Sequence, residues 1–179
     1  MSEDINSQKK KKFPWVAFVI YLVVTIGLVV FEFLRIDQSL LVGEETEAVM
    51  GGAIYGLLFG IVFTLIALVI QYALVKFPTQ WISKEKDVYT FDIWTAIFYS
   101  GAIGGVINLL VQELNVQGNI IVSILASVAT TALFLFFYYS GEEKEAHVKK
   151  AMLIVQGIYL IIGIGITLAG NALLADFVV

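Results

Sequence analysis

Five side-chain amides lie inside long apolar stretches of this sequence, where each polar group needs a hydrogen-bond partner. They are Gln71, Asn108, Gln112, Gln156 and Asn171. Asn108 and Gln112 are four residues apart, so they share one face of a helix. Such a pair can line a polar pathway for a solute, or it can hydrogen-bond to a neighbouring helix. Hydrogen bonding between helices is the simpler interpretation, and a solute pathway is the alternative.

Small residues recur at helical spacing in three further stretches. A polar stripe is formed by Ser123, Ser127, Thr130 and Thr131, and two glycine sets by Gly52, Gly56 and Gly60 and by Gly101 and Gly105. Small residues in such patterns usually pack helices together, because backbones can approach closely there. Gly60 and Gly101 each lie roughly 15 Å from the end of their apolar stretch. We therefore expect the second and third helices to pack glycine to glycine, with Gly60 against Gly101.

One charged segment contains the only histidine of the chain, His147, in the sequence Glu-Glu-Lys-Glu-Ala-His from Glu142. Glu143 and His147 would share a helix face, which suggests a metal site as an alternative. A zinc site needs more nitrogen or sulfur ligands than this segment offers, and the chain has no cysteine. We interpret the segment as a solvated helix start. The sequence predicts no metal, no cofactor and no enzymatic activity, since no catalytic set of residues is recognisable.

The elements that position these residues follow from composition. The 179 residues are 59% hydrophobic and 15% charged, whereas soluble domains average about 45–50% apolar and about 25% charged residues. About 20 apolar residues in a helix cross a hydrocarbon layer roughly 30 Å thick. We predict an all-α, polytopic membrane helix bundle forming one domain, 1–179. Its five transmembrane helices are expected at about 13–34, 50–75, 91–111, 120–139 and 151–174.

Local signals suggest where individual helices begin and end. Pro78 is expected to end the second helix, because the residue before a proline disfavours helical geometry. Thr90 can cap the third helix, and Asp92 in its first turn suits the helix dipole. Gly141 is expected to stop the fourth helix in a left-handed conformation.

The basic residues predict the orientation of the bundle. Ten of the eleven fall at the amino end or in loops that five spans place on one side, and only Arg35 falls opposite. Because lysine-rich and arginine-rich loops stay cytoplasmic, we expect a cytoplasmic N-terminus and an external C-terminus. Trp15, Trp81 and Trp94 fall near the same side, where such rings prefer the interface. Anionic lipid headgroups would attract the run Lys9, Lys10, Lys11 and Lys12.

The overall arrangement resembles the Yip-domain family. The likeness covers five spans in about 180 residues, a glycine-rich second span and a charged loop ending in Lys149-Lys150-Ala151. The Asp-Leu-Tyr-Gly-Pro motif of the eukaryotic members does not occur. The resemblance implies a non-enzymatic membrane scaffold or accessory subunit in a bacterial plasma membrane, and it assigns no site residues.

Two functions follow as hypotheses. The first is an accessory or regulatory subunit that binds a membrane-protein partner, or itself, through the loops 76–90 and 140–150. The alternative is a small transporter or channel subunit. A wet cavity lined by Asn108, Gln112 and Asn171 would favour transport, whereas a closed bundle with an exposed small-residue groove would favour partner binding. Nucleic-acid binding is not indicated.

Overall fold

The computed structural model contains five α-helices and, in the described part of the chain, no strand. It describes residues 13–35, 46–116 and 118–177, with only the backbone described at 33, 46–55, 57, 58 and 171–177. The helices are α1 (Trp15–Leu34), α2 (Thr46–Ser83), α3 (Thr90–Glu113), α4 (Ile120–Tyr139) and α5 (Ala146–Phe177). Each is long and apolar enough to cross a membrane. The prediction of an all-α bundle with five such helices is confirmed.

Named contacts give the directions of the helices. A Cβ placed on Gly101 of α3 would lie 3.0 Å from the ring of Tyr21 in α1. Arg35, after α1, pairs with Glu113 at the end of α3, so these two helices run parallel. α3 lies at the centre of the bundle, against α1, α2 and α4, while α5 packs on α2 and α4.

The two ends of the bundle differ, and we name them by their connections. The lysine-rich end carries the α2–α3 loop, 84–89, and the α4–α5 loop, 140–145. The turn end carries the connection between α3 and α4. Buried residues gather toward the lysine-rich end: in α4 they are Phe134 and Tyr138 alone, near its last turn. Toward the turn end, α2 from Phe59 to Ala67 has no buried residue.

Pro78 does not end α2, so that prediction is wrong. The helix continues to Ser83 with Pro78 inside it. A proline has no N–H, which leaves the carbonyl of the residue four positions earlier, Leu74, without its helical donor. The hydroxyl of Tyr159 in α5 donates to this Leu74 oxygen at 2.7 Å. A neighbouring helix thus satisfies the freed carbonyl, the condition under which a proline is tolerated in a membrane helix.

Three other boundary signals act differently from expectation. Tyr89, not Thr90, is the N-cap of α3, and it adopts a left-handed conformation with φ 58° and no side-chain cap bond. Asp92 does lie in the first turn of α3. α5 begins at Ala146, five residues before the predicted start. Gly141 has no left-handed φ, but a Cβ there would overlap the carboxyl group of Asp92, so the glycine permits a close approach.

The predicted contact between Gly60 and Gly101 is wrong. A Cβ at Gly56 or Gly60 would meet nothing within 4 Å, whereas Gly101 faces Tyr21 and Gly105 faces Leu28, both in α1. Gly101 and Gly105 therefore serve packing against α1. The sequence could not reveal this choice, because glycine spacing shows that a face is smooth without showing which helix it meets. The side-chain environment of Gly52 lies outside the described part of the structure.

Candidate functional site

A polar cavity of about 680 Å³ lies between α3, α4 and α5 toward the turn end. Its volume is within the range of roughly 300–1,000 Å³ found for small-molecule sites. The lining comprises Asn108, Val111 and Gln112 of α3, Ser123, Ala126, Ser127, Thr130 and Thr131 of α4, and Tyr159, Leu160 and Gly163 of α5. Two amides and five hydroxyls therefore face one space inside a membrane-spanning bundle.

The cavity brings together two sets of residues that the sequence placed apart. Asn108 and Gln112 share it with the whole serine and threonine stripe of α4. Gln71 is exposed on α2, and Gln156 is buried in the core beside the Met152 sulfur at 4.0 Å. The side chain of Asn171 lies outside the described residues, as do Lys9 to Lys12. Of the predicted polar pathway, the structure thus joins Asn108 and Gln112.

The stripe hydroxyls form a regular pattern of hydrogen bonds within α4. Ser127 Oγ donates to the Ser123 carbonyl at 3.0 Å, and Thr130 Oγ1 donates to the Ala126 carbonyl at 2.9 Å. Ser123 Oγ donates in the same way to the Asn119 carbonyl at 3.3 Å. A carbonyl oxygen accepts and never donates, so each hydroxyl proton is directed to the helix. The lone pairs of the hydroxyl oxygens remain for the cavity.

The cavity ends near the middle of the bundle. From Ile120 to Thr131 the rise along α4 is about 16 Å, roughly half the thickness of the hydrocarbon layer. A Cβ on Gly104 would lie 3.3 Å from Thr130, which brings α3 and α4 close together at this depth. Beyond this contact Ala102 and Phe134 are buried. The closely packed helices form the floor of the cavity.

Among the described residues, the lining carries no carboxylate, ammonium, guanidinium or imidazole group. A charged solute would lose its hydration without gaining a counter-ion, and burying a charge without a partner is costly. Hydroxyls and amides compensate the polar groups of a neutral molecule through hydrogen bonds. The arrangement suits an uncharged polar solute.

The lysine-rich end contains a second polar cluster that the sequence did not reveal. Lys144 Nζ lies 2.8 Å from Asp92 Oδ2, and both side chains are buried, with exposed fractions of 0% and 5%. The same ammonium donates to the Glu142 carbonyl at 2.8 Å and lies 4.6 Å from the centre of the Tyr138 ring. The Glu142 N–H donates to Asp92 Oδ2 at 3.1 Å. We call the Asp92–Lys144 pair with these neighbours the clasp.

The clasp joins the start of α3 to the α4–α5 loop and leaves no room for a ligand. Its charges satisfy each other, and the Tyr89 and Tyr138 rings cover the ammonium. Lys144 stands among acidic residues in a charged loop, and its partner Asp92 is 52 positions away in the sequence. Nothing in the local charge pattern therefore indicated that its side chain is buried. The only available signal was Gly141 beside it, which permits the approach of Asp92.

A third cluster lies exposed beside the clasp. His147 Nε2 is 3.2 Å from Glu85 Oε1 and His147 Nδ1 is 3.4 Å from Glu145 Oε2. The carboxylates near the histidine are thus Glu85 and Glu145, not the Glu143 suggested by sequence spacing. These three groups are close enough to hold a metal ion. All three are exposed, and one imidazole contacting two carboxylates is explained equally well as a solvated ion pair.

Comparisons with protein-family models, curated proteins and solved structures find no match to this chain.

Proposed function

We propose that this protein binds a small uncharged polar solute in the cavity between α3, α4 and α5 and acts in the membrane as a small transporter or transporter subunit. The observation that carries the proposal is the convergence of seven polar side chains on one cavity of about 680 Å³ within membrane-spanning helices. Interhelical hydrogen bonding alone would pair such groups across a closed interface.

The proposed orientation places the cavity mouth outside the cell. The α2–α3 and α4–α5 connections and the amino-terminal run carry most of the lysines, and such connections stay cytoplasmic. Trp15 and Trp81, both strongly exposed near the same end, support this assignment as interfacial anchors. The turn end, with the cavity, would then face outward.

A cavity with a floor requires a second conformation if solute is to cross. A Cβ on Gly104 would lie 3.3 Å from Thr130, so in this proposal the approach of α3 to α4 closes the route to the lysine-rich end. Transport would therefore proceed by alternating opening rather than through a continuous pore. Separation of α3 from α4 on the lysine-rich side of Thr130 is the movement that this scheme needs. Because the Asp92–Lys144 pair joins the start of α3 to the α4–α5 loop at that end, the movement would have to release the clasp.

Two glycines of α5 give a matched test. A Cβ at Gly163 or Gly157 meets nothing within 4 Å, but only Gly163 lines the cavity. In proteoliposomes we expect uptake of at least one of glycerol, urea and myo-inositol above the rate of empty vesicles. Gly163→Leu should reduce it to the empty-vesicle rate, and Gly157→Leu should retain it. Equal uptake by both variants, or no uptake of any solute by the parent protein, would contradict the proposal.

The accessory-subunit function remains the second candidate, and one observation favours it. A Cβ at Gly56 or Gly60 of α2 would meet no described residue within 4 Å, and the Yip-like arrangement implies a scaffold of this kind. Affinity purification in mild detergent tests it. A stoichiometric membrane partner that is lost in Gly60→Leu and kept in Gly157→Leu would support the accessory role. Purification of the chain without any partner would oppose it.

A further inference from the structure

The hydrogen bonds around the cavity indicate which kind of neutral solute it accepts. Four of its five hydroxyls donate to backbone carbonyls: those of Ser123, Ser127 and Thr130 within α4, and that of Tyr159 across to Leu74. Each of these oxygens retains lone pairs and has no proton left to offer. Along α4 and α5 the cavity therefore presents acceptors in excess of donors.

The directions of these bonds are fixed by their partners. A carbonyl cannot donate, so each of these bonds takes its proton from the hydroxyl. A hydroxyl that turned its proton toward the cavity would give up a bond of 2.9 Å in Thr130 or 3.0 Å in Ser127. A solute that only accepts hydrogen bonds would have to compete for these protons. A solute that donates uses the free lone pairs at no such cost.

The Leu74 carbonyl makes the Tyr159 bond especially firm. Pro78 removes the helical donor of Leu74, so the phenol proton is the one that replaces it, at 2.7 Å. With its proton bound to Leu74, the Tyr159 oxygen is left as an acceptor on a residue of the lining. Only Asn108 and Gln112, whose amides both donate and accept, offer donors at the opposite wall formed by α3.

We infer that the cavity selects neutral solutes rich in hydroxyl or amino donors, such as polyols, over solutes of similar size that only accept hydrogen bonds. This inference rests on the proposed function and specifies its solute class. Alkali cations also bind oxygen lone pairs, but the lining residues that the structure describes include no carboxylate to compensate the charge. Donor-rich neutral molecules meet both conditions, since they satisfy the acceptors and bring no charge.

The test uses a reporter thiol in the cavity. The chain has no cysteine, so Thr131→Cys introduces a single one. Its reaction with neutral hydroxyethyl methanethiosulfonate is timed in detergent, with increasing myo-inositol or erythritol and, in parallel, with triglyme or diglyme, ethers of similar size to these two polyols. The polyols should slow labelling in a saturable manner, and the ethers, which have acceptor oxygens but no donors, should leave the rate unchanged.

Oxygen-deleting variants sharpen the test. In the Thr131→Cys background, Ser127→Ala and Thr130→Val should each weaken polyol protection about twofold to tenfold, the effect of one hydrogen bond. Ser140→Ala is the control, because Ser140 makes the same bond to its own helix, to Phe136 at 2.7 Å, away from the cavity. It should leave protection unchanged.

The outcomes separate the inference from the proposed function. Equal protection by polyols and ethers, or protection by sodium ions but not by polyols, overturns the donor-rich inference and keeps a binding site in the cavity. Protection by no solute overturns the proposed function as well. Undiminished polyol protection in both Ser127→Ala and Thr130→Val would also contradict the inference, because the acceptors would then play no part.

Discussion

The two ends of the bundle use polar groups in opposite ways. At the lysine-rich end a few charges are completely enclosed: the Asp92 and Lys144 side chains are 5% and 0% exposed and satisfy each other. At the turn end many uncharged polar groups surround an open space of about 680 Å³. The polar groups of the lysine-rich end hold the start of α3 to the α4–α5 loop, whereas the hydroxyl oxygens of the turn end keep free lone pairs.

The polar groups of the clasp are thus expected to stabilise the fold, whereas those of the cavity are accessible to a solute. Removing one member of a buried ion pair leaves an unpaired charge in a poorly solvated site, which is strongly destabilising. Hydroxyls that donate to their own helix form no bond between helices, so removing one should cost little stability. The clasp should therefore contribute more to the stability of the bundle than the cavity hydroxyls do.

The largest expected effect comes from breaking the clasp. Lys144→Met should lower the free energy of unfolding by about 3–5 kcal/mol, because it leaves the Asp92 carboxylate buried without its cation. Unfolding by added SDS in mixed dodecyl maltoside micelles measures this loss. Lys149→Met is the control, since Lys149 is exposed, and it should behave like the parent protein. A stability of Lys144→Met equal to that of the control would show that the clasp does not anchor the bundle.

A smaller loss is expected from crowding the same site. Gly141→Ala should destabilise by about 1–3 kcal/mol, the usual cost of overpacking. The added methyl group would overlap the Asp92 carboxyl group, which Lys144 and the Glu142 N–H hold in place. Gly157→Ala, with open space around the new methyl group, should be neutral or slightly stabilising. The same SDS titration would refute the close approach if both variants unfolded together.

The hydrogen bond from Tyr159 to the Leu74 carbonyl, which Pro78 deprives of its helical donor, should contribute about 1 kcal/mol to the free energy of unfolding. This is the scale of an interhelical hydrogen bond in a membrane protein. Tyr159→Phe leaves the Leu74 carbonyl without a donor. In a Pro78→Ala background the helix supplies its own N–H to Leu74, so the same Tyr159→Phe change should cost less. A double-mutant cycle measures the coupling. Equal costs in the two backgrounds would mean that Tyr159 does not replace the missing helical donor.

The smallest effect is predicted for the ion pair at the turn end. Arg35 and Glu113 join α1 to α3, but their side chains are 52% and 33% exposed. Exposed pairs contribute about 0–1 kcal/mol, so Arg35→Ala should change the unfolding free energy by about 0.5 kcal/mol or less. A loss comparable to that of Lys144→Met would remove the distinction drawn between the two ends.

The number and type of helices could be predicted from the lengths of the hydrophobic stretches. The contacts between helices could not. The predicted span 120–139 coincides with α4, because Asn119 supplies a local cap to Ile121 and Val122 and the charged loop follows directly. The prediction that Pro78 ends α2 was wrong because Tyr159, on another helix, replaces the hydrogen-bond donor that the proline removes. The partners of Gly101 and of Lys144 likewise depend on packing between distant segments, which spacing along one helix does not encode.

The candidate site was half visible in the sequence. The spacing of Asn108 and Gln112 placed both on one face, and the serine and threonine stripe was recognised as a face of α4. That these two faces meet around a cavity, rather than closing on each other, depends on how α3, α4 and α5 pack in three dimensions. The pattern of polar residues in the sequence identified the two helix faces. Only the three-dimensional structure shows that a cavity lies between them.

Single-cysteine accessibility along α4 tests the central claim most directly. Only an ionised thiol reacts, so a cysteine in the wet cavity should be labelled quickly, and one facing lipid or buried in the core slowly. With hydroxyethyl methanethiosulfonate we predict fast labelling of Ser123→Cys, Ser127→Cys and Thr131→Cys. The lipid-facing Leu125→Cys and the buried Ala96→Cys should react slowly. Labelling of Ser127→Cys as slow as that of Leu125→Cys would contradict a solute cavity between these helices.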